Sequence, residues 1–173
     1  AAAYAEMYSL HGYGMNGEGW ENFYVLTLST GIGAGIIINN RVVKGGEFGH
    51  NLVNPTGYPN VPCSCGRRNC WCAYASGKGM ETLASILGSQ YTTAEGLCEG
   101  YRKGEENAKN ILRIVKNANA QGLAGMINAL EMQGIVIMGS LGLEQFDIII
   151  PSKEEIQHYA INPIPPIVKT HLA

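Results

Sequence analysis

The stretch FYVLTLSTGIGAGIIINNRVV, Phe23–Val43, holds three apolar runs separated by two kinds of turn. Phe23 to Ser29 is aromatic and β-branched, the composition of a strand that packs on a pleated surface. Ile36 to Ile38 and Val42 to Val43 flank Asn39-Asn40. Asparagine tolerates positive φ, so this pair suits the tight turn of a β-hairpin. Between the first two runs, Thr30-Gly31-Ile32-Gly33 interrupts the pattern. Taken alone, it is an ordinary glycine turn between strands.

Working outward, Ala1 to Leu10 reads as the end of a helix stopped by the glycine-containing segment Gly12 to Gly19. On the other side, Ser76 to Leu87 can form a helix, weakened by two glycines. Thr92-Thr93-Ala94-Glu95 has capping-box spacing and opens a short helix to about Arg102. From Glu105 to Glu131, residues Ile111, Ile114, Val115, Ala118, Leu123, Met126, Ile127 and Leu130 recur at three and four positions. That period predicts a long helix with one buried face. Gly134 to Met138 (GIVIM) suits a buried strand, ended by Gly139-Ser140. Ser152-Lys153-Glu154-Glu155 offers a second capping box, and Asn162 to Pro166 forces an extended segment before a last strand over Ile167 to Leu172. Strands first and helices later, with a buried strand between helices, argue for an α/β or α+β layer.

The chain has 173 residues, is 46% hydrophobic and carries a formal charge of −2. It can bury a core as one domain or a little more. The scattered basic residues leave no footprint for a phosphate backbone, so direct nucleic-acid contact is not expected. No apolar run is long enough for a bilayer, and Ala1 to Tyr8 lacks the basic start and apolar middle of a signal peptide. The expected location is cytoplasmic, with no membrane partner.

Four of the five cysteines fall within ten positions, behind one histidine, in HNLVNPTGYPNVPCSCGRRNCWC, His50–Cys72. A reducing compartment disfavours disulfides and leaves metal binding or redox chemistry. His50, Cys63, Cys65 and Cys70 make one imidazole and three thiols, a set that matches tetrahedral zinc. Four protein ligands leave no open position for water, so such a metal is structural. The C-x-C-G-x-x-x-C spacing is not the commonest for zinc, and unligated or redox cysteines stay open. Asn69 suits a knuckle that needs a left-handed residue. Cys72 is either a fifth thiol near the site, an exchanging ligand or a residue facing a pocket, and Cys98 reads as a small core residue.

LSTGIGAGIIINN, GGEFGH and CSCGRRNCWCAYASG, continued by INALEMQGIVIMGSLG and PPIVKTHL, resemble in order and type the signature of the ROK family of sugar kinases and related repressors. The resemblance covers nearly the whole chain. It implies an actin-like, ribonuclease-H-like ATPase fold with sugar and ATP in a cleft. Residues 1–173 resemble its C-terminal lobe, with a zinc-binding segment over 50–72. On that reading the N-terminal lobe is absent, and the general-base aspartate of the family lies just upstream of Ala1. Asp147, the sole aspartate, matches no catalytic position.

The resemblance makes Thr30, Gly31 and Gly33 the second phosphate loop for ATP with Mg²⁺. It puts Gly139 and Ser140 near the nucleotide, with Met138 where the family has a further glycine. Glu47 and His50 match positions that hold sugar hydroxyls, His50 bridging structural zinc and sugar. Without the family, Glu47 would be a solvated acid, and Gly139-Ser140 a plain strand-to-helix turn. Two departures stand out: Cys72 occupies the position of a sugar-binding glutamate, and the family has a few more residues between Gly45 and Gly46. The expectation is phosphorylation of a glucose-like hexose at its 6-hydroxyl by a longer parent, the fragment itself being inactive. Alternatives are the sugar-sensing domain of a ROK repressor or a non-catalytic, zinc-stabilised interaction domain. Homo-oligomers are common in the family and are expected here.

Overall fold

The computed structural model describes residues 19–54, 59–170 and 172, so the expected helix end over Ala1 to Leu10 lies outside the described residues. Strand β1 is Phe23–Leu28, one residue shorter than its sequence suggests. Side chains alternate across a strand, and β1 is apolar on both sides. Tyr24, Leu26 and Leu28 join the main core, whereas Phe23 and Val25 join a smaller one with Trp20, Ile37 and Val136. A strand buried on both faces belongs in the middle of a sheet.

That is its place. β2 (Ile32–Ile38) and β3 (Arg41–Val43) pair antiparallel through the expected hairpin, with Asn39 and Asn40 at φ 51° and 56°. β1 pairs antiparallel with β2 on one side and parallel with β4 (Gly134–Met138) on the other. β5, Ile167–Lys169, pairs parallel with β4, giving the order β3-β2-β1-β4-β5. It stops three residues short of the predicted end.

Because β2 opens at Ile32, only Thr30 and Gly31 of the glycine run form the turn, and Gly33 is a strand residue opposite Thr27. The helices are α1 (Trp71–Ala75), α2 (Gly77–Ile86), α3 (Ala94–Arg102), α4 (Glu106–Ala129), α5 (Ser140–Glu144), α6 (Phe146–Ile149) and α7 (Lys153–Gln157). α4 buries the predicted face, Leu130 excepted: that residue is the C-cap and is exposed. Its buried Asn119 is satisfied, accepting from Trp71 Nε1 at 2.7 Å and donating to the Ile149 carbonyl at 2.8 Å.

The caps show how local chemistry sets boundaries. Ser152 and Glu155 form the expected capping box of α7. At α3 the cap is Thr93 rather than Thr92, and its hydroxyl accepts from Gly96. Glu95 therefore sits too early in the helix to reach back, and the predicted reciprocal bond is not made. Among the described residues, no helix is long and apolar enough to cross a membrane.

Candidate functional site

The cysteine segment folds as a knuckle. Gly66 donates to the Cys63 carbonyl at 3.0 Å, Cys63 donates to Arg67 at 2.8 Å, and Pro62 bridges to Arg68. Asn69 takes φ 61°, the left-handed conformation its spacing suggested. Its Oδ1 accepts from the Val61 amide at 3.0 Å and the Tyr74 hydroxyl at 2.8 Å, fixing the second half of the knuckle. Leu52 then bridges to Cys70, and Trp71 donates to Asn51 at 2.8 Å, which brings His50 alongside.

The result is a cluster in which one donor atom each from His50, Cys63, Cys65 and Cys70 lies within 4.8 Å of the others. Cys65 and Cys70 sulfurs are 3.6 Å apart, and Cys63 Sγ is 3.6 Å from His50 Nδ1. A zinc ion about 2.3 Å from each sulfur sets tetrahedral edges of about 3.8 Å. The donors therefore form a set able to hold a metal ion with little rearrangement. The Arg67 backbone amide holds the exposed Cys65 thiol down at about 6, whereas burial pushes Cys70 up to about 12.

Cys72 lies beside this set. Its sulfur is 3.4 Å from Cys63 Sγ and 3.5 Å from His50 Nδ1, and burial pushes its thiol up to about 12. It also lines a cavity of about 400 Å³ with Thr30, Gly31, His50 and Cys63. That volume falls within the range of about 300–1,000 Å³ usual for small-molecule sites. The fifth thiol thus sits both near the cluster and on a pocket wall. Cys98 is buried in the main core.

A smaller cavity of about 150 Å³ is lined by Ser29, Thr30, Lys78, Ser140 and Leu141, among others. It lies where β1 and β4 end. Ser29 Oγ and Ser140 Oγ are 3.4 Å apart. Gly139 has φ 87°, and a Cβ there would meet the Leu28 carbonyl at 2.4 Å, so only glycine lets β4 turn into α5 this close to β1.

Among the sequence-predicted site residues, the structure brings His50, Cys72, Thr30 and Gly31 to the larger cavity and Thr30 and Ser140 to the smaller. Gly139 turns the chain into Ser140, whereas Gly33 and Glu47 line neither cavity. Glu47 is exposed, and its carbonyl accepts from His50 N at 2.9 Å at the start of a 3-10 turn over Phe48–His50. Asp147 is exposed on α6 and lines neither cavity.

Sequence reasoning missed Ser76, Lys78 and Thr82, which line the larger cavity from α2 and its N-cap. The signal lies in Gly77 and Gly79, which weaken that helix by propensity. A Cβ at Gly79 would meet the Cys72 carbonyl at 2.2 Å, and one at Gly77 would meet the Ser29 carbonyl at 3.2 Å. They permit α2 to pack against α1 and the Thr30-Gly31 turn.

Fold and site together define an α/β protein with a cavity of small-molecule size whose wall is part of a metal-competent cluster. The chain belongs to the ROK family, whose model matches residues 1–168. It is 37% identical over 150 residues to an N-acetylmannosamine kinase of Haemophilus influenzae, an alignment covering 84% of this chain and 47% of that protein. A ROK hexokinase from Thermus thermophilus has a similar structure, with TM-score 0.79 and 27% identity over 99% of this chain and 57% of that one. A ROK family glucokinase from Streptomyces griseus, solved with glucose and AMPPNP, gives TM-score 0.72 and 25% identity over 99% and 61%. The chain spans about half the length of the curated relatives it matches.

These findings correct two expectations. Residues 1–168 match as one family fold, with one five-stranded sheet among the described residues, which overturns the reading as a discrete C-terminal lobe. The reading of a truncated, inactive fragment is corrected with it, since the match to sugar kinases extends along nearly the whole chain. Where the chain begins carries no conclusion about activity.

Proposed function

We propose that this protein is an ATP-dependent hexose kinase. The observation that carries the reading is the adjacency of two cavities at one end of the sheet, the larger walled by His50 and the smaller by Ser140, with Thr30 on both. Phosphoryl transfer depends mostly on holding acceptor and donor in line and stabilising charge, and adjoining pockets for the two fit that need.

In this reading the larger cavity takes the hexose and the smaller the phosphates of ATP with Mg²⁺. His50, Cys63, Cys65 and Cys70 would hold Zn²⁺ within segment 50–72. When bound, the ion neutralises the thiolates and fixes the imidazole. His50 Nδ1 faces the sulfurs, at 3.6 Å from Cys63 and 3.5 Å from Cys72, which leaves Nε2 to donate to a sugar hydroxyl. Cys72 contributes a small, weakly polar wall where a carboxylate would grip two hydroxyls, so hexose affinity is modest. Glu47, one turn before His50, is proposed to reach the sugar when it binds. The Thr30 hydroxyl and the Gly31 and Gly33 backbone serve the phosphates, and Gly139 and Ser140 the nucleotide.

Glucose and N-acetylmannosamine are the substrates suggested by the relatives, and a homo-oligomer is the proposed assembly. The test is ATP-dependent phosphorylation of each sugar by the intact protein, read as ADP release and as sugar 6-phosphate. Product with either sugar is expected. ADP release without sugar phosphate, or neither, overturns the reading.

A further inference from the structure

Among the described residues, the two cavities share only Thr30 and Lys78. Among the described residues lining them, Lys78 is the one lysine or arginine. It sits in the first turn of α2 with its side chain 72% exposed, its ammonium held 3.1 Å from Glu81 on the next turn. Glu81 itself lines the smaller cavity.

Backbone donors at this junction are largely committed. The Gly77 amide donates to the Ser29 carbonyl at 2.8 Å, that of Lys78 to the Thr30 carbonyl at 3.2 Å, and that of Gly79 to Ser76 Oγ at 3.0 Å. The three amides that open α2 are thus used to hold the turn, and the positive charge available there is the Lys78 side chain. A lysine is a mobile point charge on a long stem, held here by a single ion pair in which Lys78 is exposed and Glu81 half-buried. It can leave Glu81 for a more highly charged partner at little cost.

We propose that Lys78 is a catalytic residue that binds the terminal phosphoryl group as it passes from nucleotide to sugar, releasing Glu81 to do so. This rests on the hexose-kinase reading, because that reading puts the transferred group between the two cavities. In the step itself the bond from the terminal phosphorus to the bridging oxygen of ADP breaks as one to the sugar oxygen forms, ADP leaves with the bonding pair, and the proton of the sugar hydroxyl passes to solvent water. Lys78 exchanges no proton or electrons; it offsets charge on the equatorial phosphoryl oxygens.

The test compares wild type, Lys78→Met and Lys78→Arg in the intact protein by two measurements. In turnover, Lys78→Met is expected to lower kcat by about 10²–10³-fold, the usual effect of removing one such donor. The hexose KM should stay within about threefold, with Lys78→Arg recovering part of the loss. In equilibrium binding, wild type should prefer a non-hydrolysable ATP analogue to ADP, and Lys78→Met should lose that preference while keeping its affinity for ADP. A Lys78→Met protein with wild-type kcat, or with an unchanged preference for the analogue, overturns the proposal and leaves the kinase reading intact. Wild type that binds the analogue in a Lys78-dependent way but phosphorylates no hexose overturns the kinase reading instead, and the assignment of Lys78 to the terminal phosphate stands.

Discussion

Cys70 and Trp71 are neighbours in the chain and belong to different kinds of structure. Cys70 ends the knuckle, where little regular structure exists and donor atoms converge within 4.8 Å. Trp71 opens α1 and is fully buried against α4, with its indole N–H on Asn119 and its ring against Gly122. The knuckle gathers donors able to hold a metal ion and anchors itself on the core through Val53, Val61 and Cys70, whereas the sheet-and-helix body rests on buried apolar surface throughout. The Cys70–Trp71 peptide bond joins them, together with the Tyr74 hydroxyl donating to Asn69 and the Asn54 amide donating to Gln121, so the body can hold the knuckle in place while the knuckle sets His50 against the cavity.

If that division is right, the two regions respond differently to the same insult. The largest effect is expected on removing metal with a strong chelator. Amides in the described part of 50–72 should lose hydrogen-exchange protection, while α4 keeps its own. Metal-bound sites draw folding free energy from the ion, and apolar cores do not. Equal loss in both regions breaks the division. Next, Trp71→Ala should destabilise the whole fold by about 3–5 kcal/mol, as truncating a buried aromatic does, read from the denaturant midpoint. Metal content at low denaturant should be retained. A smaller effect is expected of Gly122→Ala, whose Cβ would stand 2.1 Å from the Trp71 ring. Overpacking there should cost about 1–3 kcal/mol and shift Trp71 fluorescence, again without metal loss.

The same two regions differ in how they could be read from residues alone. The hairpin, β4 and α4 follow from period and turn chemistry, because a face buried along many residues leaves a repeating mark in the chain. The cluster was legible for another reason: ligand chemistry restricts which residue types can stand together. What failed was structure specified by contact between distant segments. α1 was not anticipated, since WCAYA is five buried residues with no polar face and hence no period. α5 and α6 are too short to show one. Gly77 and Gly79 weaken a helix by propensity, and the close approach they permit depends on the turn after β1 and on α1. Lys78 and Thr82 look like ordinary helix-surface residues until that approach places them on a cavity wall.

The central claim is that a metal-held knuckle orients His50 for hexose. Its most direct test is the hexose dissociation constant of the intact protein, measured by calorimetry with zinc bound and again after chelation under native conditions. The account predicts at least about tenfold weaker binding without zinc, restored on adding the ion back, as loss of a ring-orienting metal implies. Equal affinity with and without the ion contradicts it.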